Sequence, residues 1–449
     1  MPRVVVALLA CALLVAAGAS ASDTTSAPVS KSSRASVQKT ELVSRALDGG
    51  TPNGPSTNAV ISHDRRWARI VAFESEASDL VKGDTNGMKD VFMVRRAGEF
   101  QNNGSRWKPG RTALISRGPS GPANGPSFSP TVDGGFWHVP SCVVFLSAAS
   151  NLVDGDTNGK VDAFISRGPG ALPARLLPPG GQQAEDTTEV AVAQDCSRIA
   201  FVTGGRLYVR SGKRVHELKA GGVASDPSFS SGMRNDLVFT AKRGVYLSSN
   251  AKHRPKLVGP GGRNPAYNDI HKPPPHCKRR TVAYEMRKGG HWQIAARVQG
   301  GKTRIVSRRH RSLGNGDSRR PVIGNAGCYV TFESDANNLG VNANGTKGDY
   351  NRRTDVYLFT AVRHITLVQS VRTKAVPVVG GGQRPSMSFY ANYIVFDAIA
   401  PLRDSYTPHE FRRGRLQSAQ YQDPLPPANP PPSTPAENRQ VFMRYLGPV

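Results

Sequence analysis

The stretch VAFESEASDLVKGDTNGMKDVFMVRR, Val71 to Arg96, returns 72 residues later as VVFLSAASNLVDGDTNGKVDAFISR, Val143 to Arg167. A degenerate third copy, VTFESDANNLGVNANGTKGDYNRRTDVYLF, runs from Val330 to Phe359. Each copy reads as one unit: a short alternating apolar strand, a connection rich in Gly, Asn and Asp, then a second strand. No other feature constrains the fold as strongly. A unit this small cannot bury its own apolar faces, so copies must stack on one another.

Lettering the strands of one unit a to d from the inside out, the anchors of strand b fall at Phe73, Phe145, Phe201, Phe239, Tyr284, Phe332 and Phe396. The intervals between them are 72, 56, 38, 45, 48 and 64 residues. The shortest match a propeller blade, and the longer ones leave room for loop insertions. Strand c follows each anchor, at Val91-Phe92, Ala163-Phe164, Leu207-Tyr208, Val245-Tyr246, Gln293-Ile294, Val356-Tyr357 and Val441-Phe442. Six strands d follow a strand c. The seventh, Leu42-Val43, stands at the other end of the chain. That offset predicts an all-β fold: a β-propeller of seven four-stranded antiparallel blades whose last blade is completed by the N-terminal strand, which removes two exposed sheet edges. Six blades is the alternative, because the third unit has the faintest pattern.

The piece Thr40-Glu41-Leu42-Val43-Ser44-Arg45 is echoed by Thr112 to Arg117 and by Thr303 to Arg308. Each is followed by an Asn-Gly step: Asn53-Gly54, Asn124-Gly125 and Asn315-Gly316. These steps read as turns whose glycine supplies a positive φ. The segments Asn53 to Phe92 and Asn124 to Phe164 resemble the TolB-type, WD-like β-propeller repeats of bacterial exported proteins. The resemblance covers nearly the entire mature chain, strongly in blades one, two and six and loosely elsewhere. It implies a propeller that binds through its faces, and it names no ligand.

The ends and the cysteines bear on compartment. Arg3, the apolar run Val4 to Ala17 and Ala19-Ser20-Ala21 form a signal-peptide pattern with cleavage expected after Ala21. Residues 22–38 read as a flexible Ser/Thr/Ala-rich leader, and about 403–437 as a proline-rich insertion in the last blade. The expected product is secreted and has no membrane span. Four cysteines then remain, Cys142, Cys196, Cys277 and Cys328, none at zinc-like spacing. They precede or begin strands b of neighbouring blades. Cys142–Cys196 and Cys277–Cys328 pairs would staple blade to blade, while spacing leaves the two other pairings open.

Lys+Arg 59 against Asp+Glu 33 gives a net charge of +26. A chain so basic should adhere to polyanions, and the densest basic loop runs from Arg308, Arg309 and Arg311 to Arg319 and Arg320. For an exported protein the expected partner is a protein or an acidic polymer, such as a wall polymer or acidic polysaccharide, rather than nucleic acid. Asp154, Asp156, Asn158, Lys160 and Asp162 have the spacing of a calcium loop, with side-chain oxygens alternating and the Lys160 carbonyl available. Its copies weaken the Ca2+ reading: Lys82 replaces the first carboxylate in blade one, so Asp-Thr-Asn-Gly must also serve the turn itself. No G-x-S-x-G or H-E-x-x-H motif occurs. A non-catalytic binding or scaffold protein is therefore the expected function. The alternative is a propeller-fold lyase or glycosidase acting on an acidic glycan.

Overall fold

The computed structural model describes residues 39–64, 67–98, 107–135, 138–230, 234–252, 254–269, 277, 280–324, 327–339, 353–361, 365–368, 381–399 and 438–446. All of them belong to one unit, Ser36–Val449. The signal peptide, the leader, the proline-rich insertion and much of the blade-six loop lie outside the described residues.

The described chain folds into seven four-stranded antiparallel sheets, each in the order a-b-c-d. Blade one is Ser56–Ile61, Ile70–Ser75, Asp90–Arg96 and Pro109–Leu114, and blade two is Ser127–Val132, Val143–Ser147, Asp162–Ser166 and Ala174–Leu176. Blade three, faintest in sequence, is complete: Thr187–Val192, Arg198–Thr203, Arg206–Ser211 and Arg214–Glu217. Blades four to six run from Ser225–Phe229 to Ile365–Val368. Blade seven takes Gln383–Met387, Tyr393–Ile399 and Arg439–Tyr445 as strands a to c, and Lys39–Leu42 as strand d. The N-terminal closure expected from the sequence is thus formed, with Thr40 opposite Arg444 and Leu42 opposite Phe442. Strand a of blade one lies against strands a and b of blade seven, which completes the ring.

The anchors explain why the blades stack. In six blades the strand-b anchor faces an aromatic residue of strand c, from Phe73 on Phe92 at 5.9 Å to Phe396 against Phe442 at 6.3 Å. Blade five differs, Tyr284 facing Ala295. Every anchor is buried between sheets. The seam between blades seven and one is a continuous apolar cluster that includes Val43, Tyr393, Val395, Val441, Ile61 and Phe73.

Both disulfides join neighbouring blades on the a–b face, Cys142–Cys196 between blades two and three and Cys277–Cys328 between five and six. They close loops of 54 and 51 residues, and such bonds fit an oxidising compartment. Replacing Cys142 and Cys196 by serine is expected to lower stability by about 2–4 kcal/mol in a denaturant titration. A midpoint unchanged between oxidised wild type and variant would show that the staple constrains nothing.

One expectation about the turns needs correction. Gly54, Gly125 and Gly316 do not adopt positive φ. They are glycines because backbone comes too close: a Cβ would stand 2.8 Å from Ala77 N, 2.9 Å from Ala148 O and 2.7 Å from Asp335 C. Positive φ is used instead inside the b–c connections, at Gly83 and Gly87 and at Gly155 and Gly159.

Candidate binding face

The b–c and d–a connections share one face, and the repeated motifs build it. Each Asn-Gly asparagine clasps the b–c connection of its own blade. Asn124 Nδ2 donates to Ser150 Oγ (3.0 Å) while Ser150 N donates to Asn124 Oδ1 (2.9 Å). Asn53 does the same with Ser78, and Asn315 with Asn337. The Ser of the Leu-Val-Ser-Arg echo ties strand d to the start of strand c. Ser307 Oγ donates to Gln293 Oε1 and accepts from Ile294 N, and Ser44 bridges Gln440 and Val441 in the same way. In blade one Ser116 Oγ donates to Asp90 and accepts from Val91 N. These recurring residues hold the scaffold.

The Asp154 loop lies on this face. Asp156 and Asp162 are buried and converge on one guanidinium: Arg175 Nη1 stands 2.6 Å from Asp156 and 3.2 Å from Asp162. Arg175 Nη2 and Gln182 Nε2 both donate to the Gly155 carbonyl. Asn158 Oδ1 accepts from Lys160 N, and its Nδ2 donates to the Gln183 carbonyl. Asp154 is exposed. Burial pushes the Asp162 carboxyl up from its ordinary value, and Arg175 pulls it back. Asp90, the blade-one counterpart, has no such cation among the described residues; burial raises it to about 6 against the hydrogen bonds from Ser116 and Asn86.

The basic stretch divides in two. Arg308–Arg309 and Ser312–Leu313 form a two-stranded hairpin in the connection from blade five to six. Its Leu313 touches the blade-five turn that carries Arg287, Lys288 and His291, a Cβ on Gly289 falling 3.0 Å from the leucine side chain. Arg309 and Arg311 form no ion pair among the described residues. Arg304 nearby is held below the usual guanidinium range by burial and by the charge of Arg308. Arg319 and Arg320 sit on strand a of blade six and are already paired, Arg319 with Asp317 and Asp335, and Arg320 with Glu333 at 3.5 Å. The structure therefore brings Arg308, Arg309 and Arg311 together and engages the other two internally.

A feature that motif reading missed rings the central channel. In six blades strand a carries a β-bulge with one residue in left-handed backbone: Asn58, Ser129, Asp226, Asn264, Arg320 and Arg384. Each freed N–H points to a carboxylate of the preceding blade. Ser129 N donates to Glu74 (2.8 Å), Arg320 N to Glu285 (2.9 Å), Arg384 N to Glu333 (2.7 Å) and Asn58 N to Asp397. Asp226 N donates to Glu189, and Asn264 N to Asp226 at 3.2 Å. The signal was present: Glu74, Glu285, Glu333 and Asp397 each directly follow a strand-b anchor. Glu189 and Asp226 stand on strands a, where no such marker points to them.

Among the described residues, one trio of ligand atoms from His, Cys, Asp or Glu lies within 4.8 Å, namely Asp133, Cys142 and Cys196, and its two sulfurs are joined in the disulfide. No helix among them is long and apolar enough to cross a membrane.

No protein-family model matches the chain, and no curated protein matches it. Solved structures similar to it include TolB from Acinetobacter baumannii, at 14% identity and a TM-score of 0.37 over 58% of each chain. Others are the β-propeller domain of the Trilobed protease from Pyrococcus furiosus (8%, TM-score 0.43, 77% of this chain and 91% of that one) and a puromycin-hydrolyzing peptidase from Mycobacterium tuberculosis (10%, TM-score 0.45, 80% and 51%). The chain thus spans less than two thirds of that TolB and about half of the peptidase. The propeller assignment rests on the strand order described above.

Proposed function

We propose that this propeller is a non-catalytic binding protein that grips an acidic polymer, or the acidic surface of a protein, with the face bearing the hairpin Arg308 to Leu313. One observation carries the reading. The same d–a connection, with the same Ser and Asn clasps, is built three times, and only one copy is strongly basic. Arg45-Ala46-Leu47-Asp48 and Arg117-Gly118-Pro119-Ser120 fulfil the structural role with one cation each, whereas Arg308-Arg309-His310-Arg311 concentrates three arginines and a histidine. The fold does not need Arg309 or Arg311. Burial first, and then the charge of Arg308, hold Arg304 below the usual guanidinium range, and an anion bound beside these cations offsets that cost. Secretion, read from residues 1–21, would place the protein among such polymers, and the disulfides fit that compartment.

The test is retention on immobilised polygalacturonate across a salt series. The R309S/R311S variant is expected to elute earlier, with the slope of log affinity against log salt reduced by about two. Elution identical to wild type would remove this hairpin from the reading. The lyase or glycosidase alternative predicts release of unsaturated or reducing ends from the same polymer; that product would overturn the non-catalytic assignment.

A further inference from the structure

Six carboxylates ring the channel, and four have a cationic partner. Glu74 has Lys89 (3.8 Å), Glu285 has Arg263 (2.8 Å), Glu333 has Arg320 (3.5 Å), and Asp397 has Arg384 and Arg439 (3.2 and 3.4 Å). Glu189 and Asp226 have none among the described residues, although they adjoin each other where blades three and four meet. Two partly buried carboxylates side by side repel, and the rest of the ring shows what normally offsets that cost.

Asp226 also lines a cavity of about 310 Å³ along the channel, with Thr131, Asn264, Tyr267, Gln194 and His63. Two of these side chains present buried polar atoms with no partner, Gln194 Oε1 and His63 Nδ1. Gln194 is only 6% exposed. Burial lowers the His63 imidazole to about 4, so the ring is neutral at pH 7 and can accept a hydrogen bond. Glu189 lies on strand a of blade three, and Gln194 in the turn that follows that strand. The cavity therefore has the Asp226 carboxylate in its wall together with the Gln194 and His63 side chains, and Glu189 adjoins it by accepting from Asp226 N. A divalent ion fits poorly, because among the described residues no third carboxylate, histidine or cysteine atom joins Glu189 and Asp226 within 4.8 Å.

We propose that this cavity binds an extended organic cation, its ammonium or guanidinium group between Glu189 and Asp226 and its chain directed toward Gln194 and His63. Such a group comes either as a free polyamine or as a Lys or Arg side chain of a partner segment. The inference does not depend on the basic hairpin, which lies across blades five and six.

Proton release gives a specific readout. Burial, then the charge of Asp226, push Glu189 up to about 7, so near neutral pH it is substantially protonated. A cation seated beside it favours the carboxylate and expels that proton. Calorimetric titration with spermidine, and separately with a short Arg- and Lys-containing peptide, is carried out at pH 7 in two buffers of different ionisation heat. Binding by either probe is expected with a fraction of a proton released. In Glu189→Gln, which mimics the protonated acid and should fold, affinity is expected to fall at least tenfold and the proton release to vanish. Binding by spermidine identifies a free amine, and binding by the peptide alone identifies a partner chain. Absence of binding by both, or binding that survives unchanged in Glu189→Gln, overturns the proposal. The polygalacturonate slope of that variant is expected to match wild type, so failure here and failure of the hairpin reading are separable.

Discussion

A chain beginning at residue 47 is expected to lose on the order of 5 kcal/mol of stability and to become prone to association. The strand Lys39–Leu42 supplies more than ladder bonds. Val43, 1% exposed, packs in the seam against blade seven, and burying such a side chain contributes ~1.5–3 kcal/mol. Ser44 Oγ donates to Gln440 Oε1 at 2.8 Å, while Gln440 Nε2 donates to Gly54 O of blade one at 2.9 Å. Removing Ser44 leaves Gln440 Oε1 buried without its donor, a cost of about 1–3 kcal/mol. Lost pairing along strand c of blade seven accounts for the rest, and the bared edge invites another strand. Urea denaturation of the truncated chain, alone and with a synthetic peptide covering residues 36–46, measures this. The peptide should restore most of the midpoint. A truncated chain as stable as the parent would mean that the first three strands of blade seven hold the ring unaided.

Arg175→Met should be the most damaging single substitution on the binding face, by about 3–5 kcal/mol, because it strands two buried carboxylates that now share one guanidinium. The same variant separates the two readings of the Asp154 loop. If Arg175 is the resident cation, the wild-type melting temperature is indifferent to calcium and to chelator. In Arg175→Met the freed pair Asp156 and Asp162, helped by the Gly155 carbonyl, should then take up calcium and recover part of the loss. If calcium is the resident cation, chelator lowers the wild-type melting temperature and Arg175 must swing aside to admit the ion. Thermal melts of both proteins with and without calcium decide between them.

These two sites show how far residue patterns reach. The blade hairpins, the aromatic anchors and the offset strand d are local or strictly periodic, so a reader of the chain can place them. The cysteines follow once the strands are placed, since each sits at the same point of its blade. The Asp154 spacing is equally visible, yet its cation is not. Arg175 lies on the next strand, and only the pairing of Phe164 with Arg175 brings the guanidinium over Asp156 and Asp162. Likewise Arg319 and Arg320 look as available as Arg309 and Arg311 until strand pairing sets them beside Asp317, Asp335 and Glu333. The Asn-Gly steps were legible as turns. Their glycines serve close approach to the backbone that follows strand b of the same blade, a contact that no local rule of φ anticipates.

From the sequence alone come the all-β propeller class, the N-terminal closure and an unusually basic connection in one of three equivalent places, while the structure decides for seven blades over six by completing blade three. Those are set by periodicity and composition, which act along the chain. Tertiary structure alone decides which charges are neutralised and which are left over, because ion pairing depends on distances across strands and between blades. It matched four of the channel carboxylates with cations, left Glu189 beside Asp226 without one, and kept Arg309 and Arg311 free of acidic partners among the described residues.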